Sequence, residues 1–246
     1  MRSQAEKGRL FRELHKRPEI LILPNPWDAG TAKLLASLGF EALATTSLGM
    51  SNALGRIDGE GSVSRAELLE NCRVIAQATE LPVNADLENG YADDPREAAS
   101  ILRDAAEVGI VGGSIEDWSG ERIYEFNHAV ERVAAGAEMA RSLPVPFTFV
   151  ARAENLIRGR LDLDDTIKRL QAFEKAGADV LYAPGLRRSG YHAHGGAGRR
   201  QAFERGDERR RSLSHRRRDG SGRRQAAERR RSAIAAGARR LHERRP

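Results

Sequence analysis

The sequence predicts an α/β protein of the (β/α)₈ TIM-type barrel class, incomplete at about six strands. Three observations lead there. Short apolar runs alternate with helical stretches of about 10–15 residues, the pattern of parallel βαβ units. Polar or charged residues follow nearly every strand run, as in a barrel whose site is assembled from many strand ends. The first such position reads Asn25-Pro26-Trp27-Asp28, without the glycine-rich phosphate turn of a doubly wound dinucleotide-binding sheet.

The strand runs fall at residues 20–24, 41–46, 82–86, 110–115, 147–151 and 178–182. Their apolar content predicts burial on both faces of a parallel sheet. The first helix, 29–38, is closed by Gly39, which suits a left-handed C′ position. The second starts at Ser64, with Glu67 three residues on, the spacing of a capping box. Asp94-Pro95 opens a third, because proline's missing N–H is harmless in a first helical turn. Further helices are expected at 124–141 and 164–175.

Composition narrows the class. One cysteine, Cys72, excludes an internal disulfide framework and reads as a buried thiol. No apolar run approaches the ~18 residues of a membrane span, and the charged N-terminus lacks a signal core. A cytoplasmic protein is the default expectation. The formal net charge of +6 hides two opposed parts. Residues 187–246 hold 20 Arg, no Lys and 6 acids, whereas 1–186 carry 21 basic and 29 acidic residues.

Chemistry concentrates at the predicted strand ends. Asp86 and Glu88 follow the third run, Glu116 and Asp117 the fourth, and adjacent barrel strands would bring them together. One or two carboxylates suffice for Mg²⁺, a hard cation that keeps several waters. The competing assignment is helix N-capping, where acids are equally at home. Arg152 leaves the fifth run beside Glu154. It is placed either to grip an anion through paired N–H groups or to form a buried salt bridge with Glu154. Thr46-Ser47-Leu48-Gly49 is a small polar turn that could offer N–H groups to a carboxylate.

These pieces carry a family resemblance. Asn25-Pro26-Trp27-Asp28-Ala29, Thr45-Thr46-Ser47, Leu54-Gly55 with Asp58, Asn84-Ala85-Asp86 with Gly90-Tyr91, Ser114-Ile115-Glu116-Asp117, Ala151-Arg152 and Ala176-Gly177-Ala178-Asp179 stand in order and spacing. Together they resemble the phosphoenolpyruvate mutase/isocitrate lyase superfamily over about residues 10–186. The resemblance implies a (β/α)₈ barrel, a Mg²⁺ or Mn²⁺ cofactor, and a small 2-oxo acid or its enolate. It implies metal ligation by Asp86 and Glu116, with Glu88 beside them, and catalytic roles for Asp58, Glu116 and Arg152. Trp27, Asp28, Thr46, Ser47, Leu48, Arg152 and Glu154 would contact substrate. A homotetramer is the family expectation, one that an incomplete barrel would compromise.

Departures from the pattern narrow the activity. Isocitrate and methylisocitrate lyases carry a Lys-Lys-Cys-Gly-His loop after the fourth strand, and here Asp117-Trp118-Ser119-Gly120 takes its place. Those two activities are therefore not expected, and Asn84 stands where the family usually has an aspartate. Mg²⁺-dependent C–C cleavage or decarboxylation through an enolate is the leading expectation. Phosphonomutase or phosphonopyruvate hydrolase-like P–C chemistry is the alternative.

Residues 187–246 break the pattern, with Arg runs, no Val and one Ile. Such a low-complexity tail cannot offset its ordering entropy by burial. Translation out of frame accounts best for its composition, since GC-rich coding sequence read in a shifted frame yields Arg, Gly, Ala and Ser. A nucleic-acid arm is the other functional class, but only Tyr191 and Phe203 could stack on bases. A six-stranded barrel would expose roughly 1,000 Å² of apolar edge, about 25 kcal/mol, more than a domain's typical stability of about 5–15 kcal/mol. The expectation is a chain that aggregates, depends on a partner, or turns over weakly.

Overall fold

A computed structural model describes residues 2–59 and 61–186. The predicted Arg-rich tail at 187–246, with its out-of-frame and nucleic-acid readings, lies outside the described residues. In chain order the elements are α1 (Gln4–Lys16), α2 (Ala29–Ser37), β1 (Leu43–Ala44), α3 (Ser47–Ala53), α4 (Arg65–Gln77) and β2 (Val83–Asp86). There follow α5 (Pro95–Glu107), β3 (Gly112–Glu116), α6 (Phe126–Ser142), β4 (Thr148–Arg152), α7 (Leu163–Ala176) and β5 (Val180–Tyr182).

All pairings are parallel, and the sheet order is β1-β2-β3-β4-β5. A doubly wound sheet reverses its order at a switch point. Here every strand is laid beside its predecessor, which is barrel winding. The described part is a five-strand parallel arc of an incomplete barrel.

The first expected strand, at 20–24, is corrected by the structure. Those residues form no strand, and their one backbone bond to β1 runs from the Ala44 N–H to the Pro24 carbonyl at 3.1 Å. Pro24 has no N–H to continue a ladder, and Ile20 and Ile22 are 79% and 63% exposed.

Strand burial follows expectation, but the two faces differ in polarity. Side chains alternate across a pleated strand, and register aligns the faces. Asn84 pairs with Gly112, Gly112 with Thr148, and Glu116 with Arg152. The inner face thus carries Asn84, Asp86, Gly112, Ser114, Glu116, Thr148 and Arg152. The outer face, with Ala85, Ile115, Phe149, Ala151 and Leu181, packs in the main core with Ile101, Leu102, Val133 and Phe173 of the surrounding helices. The strands are buried on both faces, but apolar mainly on the outer one.

Helix α1, begun by a Ser3–Glu6 capping box, closes the amino-terminal end of the sheet. Phe11 and Leu14 form a second core cluster with Ala42 and Val111, residues just before β1 and β3. A Cβ on Gly112 would stand 2.7 Å from the Phe11 ring, so glycine is what lets that ring in. Among the described residues, no helix is long and apolar enough to cross a membrane.

Gly136 of α6 tests the helix-on-sheet packing. A Cβ there would lie 2.6–3.0 Å from the Phe149 ring of β4. Gly136→Ala is expected to destabilise the fold by about 1–3 kcal/mol through overpacking, despite alanine's better helix propensity. Urea denaturation should show a lower midpoint; an unchanged or higher midpoint contradicts the packing.

Candidate active site

The last inward residues of β2, β3 and β4 are Asp86, Glu116 and Arg152. Glu116 pairs with Arg152, and Asp86 stands one pleat lower, opposite Ser114. The Arg152 guanidinium reaches all the neighbouring carboxylates. Its Nε donates to Glu154 Oε1 at 2.5 Å, while Nη1 lies 3.6 Å from Asp86 Oδ1 and Nη2 3.5 Å from Glu116 Oε2. The face of Tyr182, the inward residue of β5, lies 5.4 Å away. Burial works against the Arg152 charge, yet Asp86, Glu116 and Glu154 together hold its pKa above the usual arginine value.

A second guanidinium stands beside it. Arg158 Nε donates to Glu154 Oε2 at 3.0 Å, and its Nη2 lies 3.4 Å from Glu116 Oε1. Glu154 is fully buried and shared between the two arginines. Its own N–H donates to Asp117 Oδ1 at 2.8 Å, and Asp117 pairs with buried Arg169 at 3.1 Å. Arg169 also reaches Asp165 of α7 at 2.9 Å. A continuous charged network thus ties the ends of β3 and β4 to α7.

In front of the arginines lies a cavity of about 150 Å³ lined by Ser47, Asp58, Glu88, Tyr91, Glu116, Trp118, Arg152 and Arg158, among others. Its walls are built locally. Arg56 donates to the Ser62 carbonyl and Glu67, both at 2.8 Å, fixing the loop that carries Asp58. Glu88 and Tyr91 sit on a turn with φ of 50° and 59°, left-handed backbone that is strained for such residues. The Tyr91 hydroxyl donates to Glu88 Oε1 at 3.1 Å. Arg132 of α6 holds this turn, donating to the carbonyls of Asn89, Ala92 and Asp93. Trp118 begins a short hairpin closed by a bridge to Ile123.

Electrostatically the cavity is short of positive charge. Burial lifts the Glu116 carboxyl well above its ordinary range, against the pull of Arg152, with Glu154 and Asp86 adding to the lift. Burial pushes Glu88 up to about 7, helped by Asp86. Asp58 is raised by burial and by Asp86, with a Ser47 hydrogen bond opposing.

The sequence-derived candidates divide. Ser47, Asp58, Glu88, Glu116 and Arg152 line the cavity, and the carboxylate of Asp86 joins them through Arg152 and the Ser47 N–H, 3.2 Å away. Glu154 lies behind the arginines, so its place as a substrate contact is corrected to a buried support. Asp117 is likewise buried in structure. The Asp28 carboxylate accepts the Thr31 N–H at 2.7 Å and caps α2. Trp27 packs near Gly49 and passes its carbonyl to Asn71. Thr46 is the N-cap of α3, accepting the Gly49 N–H, and Leu48 lies in that helix's first turn. None of these four is part of the cavity lining. Arg158, Trp118 and Tyr91 line it, although as residues they were not singled out for this role. The signal for Arg158 was its i,i+4 spacing from Glu154, which on a loop reads as a solvated pair.

The donor set fits a hard cation of a particular kind. Among the described residues, no group of three or more metal-ligating side chains converges. An all-protein cage is therefore absent. Asp86 and Glu116 share one guanidinium, and Glu88 and Asp58 add carboxyl groups whose pKa values are raised by burial first and by Asp86 second. That suits Mg²⁺ held by one or two carboxylates and its own waters. One pleat below, the buried Asn84 Oδ1 and Thr148 Oγ1 lack hydrogen-bond partners, so the polar interior continues inward.

A singly wound parallel sheet with carboxylates and arginines at its carboxyl ends defines a barrel protein with a site for a small anionic ligand. The chain belongs to the phosphoenolpyruvate phosphomutase family, whose sequence pattern matches residues 11–192, within the phosphoenolpyruvate mutase/isocitrate lyase superfamily. It is 53% identical to a Burkholderia cenocepacia J2315 protein described as a lyase/mutase. That comparison has a TM-score of 0.72 and covers 75% of this chain and 66% of the other. The 2-methylisocitrate lyase of Bacillus subtilis (strain 168) is 28% identical over 193 residues, 75% of this chain and 62% of that enzyme. Oxaloacetate acetylhydrolase, solved with its product oxalate, is 25% identical with a TM-score of 0.69, covering 76% and 66%. The chain spans 58–64% of the length of these curated relatives.

The Glu88 environment makes a pH prediction. Burial makes its charged form costly in the folded state. Between the ordinary glutamate range and about 7, the folded protein holds a proton that the unfolded chain has lost. Stability from this group is therefore present at low pH and lost as pH rises through that window. In chelator-containing buffer, Glu88→Gln should raise Tm relative to wild type more at pH ~8 than at pH ~5. An equal shift at both pH values contradicts the assignment.

Proposed function

We propose that this protein is a lyase-type enzyme acting on a small 2-oxo acid, or a 2-hydroxy precursor, through an enolate. The bond broken is a C–C bond, by retro-aldol cleavage or decarboxylation. The observation that carries this reading is Arg152, a buried guanidinium in the cavity wall, held in place by three carboxylates. The lyase relatives add family support.

Arg152 binds the substrate carboxylate. Its Nη groups stand in ion pairs of 3.5 and 3.6 Å rather than tight hydrogen bonds, so their N–H groups remain available to an incoming anion. The arrangement costs little reorganisation, because Glu154 anchors Nε from behind. Asp86 and Glu116 would hold the divalent cation, with its own waters completing the coordination. A bound Mg²⁺, or Mn²⁺, supplies Lewis-acid stabilisation of negative charge on the substrate oxygen. Asp58 is the proton donor to the enolate carbon: it lines the cavity, and burial favours its protonated form. The Trp118 hairpin limits water at the other wall.

The test is a substrate panel of oxaloacetate, 2-alkylmalates and phosphonopyruvate, assayed with Mg²⁺ and with chelator. Metal-dependent C–C bond cleavage of at least one acid is expected. Asp86→Ala should remove both that turnover and the calorimetric signal of Mg²⁺ binding. Silence across the panel with metal present overturns the reading, and turnover of phosphonopyruvate alone replaces it with P–C chemistry.

A further inference from the structure

Arg158 has no part in the chemistry just described, yet the cavity is built around it as much as around Arg152. Its Nε is fixed by fully buried Glu154 at 3.0 Å, and its Nη2 faces Glu116 at 3.4 Å. Its guanidinium carbon lies 4.6 Å from the centre of the Trp118 ring, a stacking that fixes the plane of the group. Three contacts on three sides leave one nitrogen over. Nη1 has no hydrogen-bond or ion-pair partner among the described residues. The side chain is 32% exposed, against 16% for Arg152, and it lines the same cavity.

The two arginines thus present different resources. Arg152 is deep, and every one of its nitrogens faces a carboxylate. Arg158 is pre-organised but retains two N–H groups on Nη1. A planar guanidinium held rigidly with unused donors is suited to a carboxylate, and little rotamer entropy is lost on binding. Both stand on Glu154, so their separation is set by one buried side chain and cannot vary freely.

We propose that Arg158, stacked on Trp118, is the specificity-determining residue that takes the distal carboxylate of a dicarboxylic substrate. Arg152 takes the carboxylate next to the reacting carbonyl or hydroxyl. The inference rests on the reading that a small 2-oxo or 2-hydroxy acid fills this cavity, and it narrows that class to acids with a second carboxylate. Monocarboxylic acids reach Arg152 but leave Nη1 of Arg158 unused. Trp118 contributes by holding the guanidinium plane, so its effect is exerted through Arg158.

Equilibrium binding to the full chain, measured by calorimetry with Mg²⁺ present, tests this without turnover. The probes are malate and lactate, which differ only in the distal carboxylate. Wild type should bind malate more tightly. Arg158→Gln should weaken malate by about 10–100-fold, the usual range for a charge-assisted contact, and lactate by less than about threefold. Arg158→Lys, which keeps the charge but not the fork, should fall between, and Trp118→Leu should weaken malate selectively. In turnover of any dicarboxylic substrate found, Arg158→Gln should raise KM more than it lowers kcat. A cooperative melt for each variant guards against misfolding; should Arg158→Gln fail it, Arg158→Lys and Trp118→Leu carry the test.

Equal weakening of malate and lactate would reduce Arg158 to a structural support for Glu116 and Glu154, overturning the inference alone. So would a wild-type chain that binds both acids equally. Binding of neither acid also overturns it, and the broader reading falls only if the substrate panel is silent as well.

Discussion

The contact on which the structure turns is the Arg152 guanidinium between the ends of three strands and the loop behind them. The register sets Asp86 opposite Ser114, one pleat below Glu116 on the same inner face, and Arg152 spans the two. Two carboxylates so buried repel, and each loses hydration. Arg152 makes their convergence tolerable, and Glu154 makes Arg152 tolerable by fixing its Nε. The site is therefore a set of charges that hold one another in place.

That set is anchored in a second layer remote from the cavity. Asp117 takes the Glu154 N–H and pairs with Arg169, which reaches Asp165 and the Tyr124 carbonyl. Asn155 joins through Asp165. Buried ion pairs contribute little net stability when intact but are costly to break singly. Their effect here is positional, because they couple helix α7 to the strand ends. On the opposite wall, Arg132 achieves the same for the strained Glu88–Tyr91 turn, capping its carbonyls from α6 and stacking on Tyr124 at 4.3 Å.

Much of this was legible in the sequence where signals are local. The Ser64–Glu67 box and the Asp94-Pro95 start open helices α4 and α5 within one residue of expectation. Gly39, just past the Leu38 C-cap of α2, takes the left-handed backbone expected of it, with φ of 87°. Barrel winding followed from the alternation of elements. Long-range pairing was not legible: Asp117 and Arg169 are 52 residues apart, and nothing local distinguishes Asp117 from its neighbour Glu116. Alternation put Glu116 on the inner face and Asp117 past the strand end, which only the register reveals. The run at 20–24 misled because apolar residues signal a strand whether or not a neighbour pairs with it.

The central claim is that the Arg152 charge holds the carboxylate-bearing strand ends together. Chemical denaturation of Arg152→Met in metal-free buffer near neutral pH tests it most directly. The account predicts a loss of about 3–5 kcal/mol, the usual cost of leaving buried charges unpaired, with added Mg²⁺ recovering more stability in the variant than in wild type. A variant within about 1 kcal/mol of wild type, and no more responsive to Mg²⁺, would contradict it.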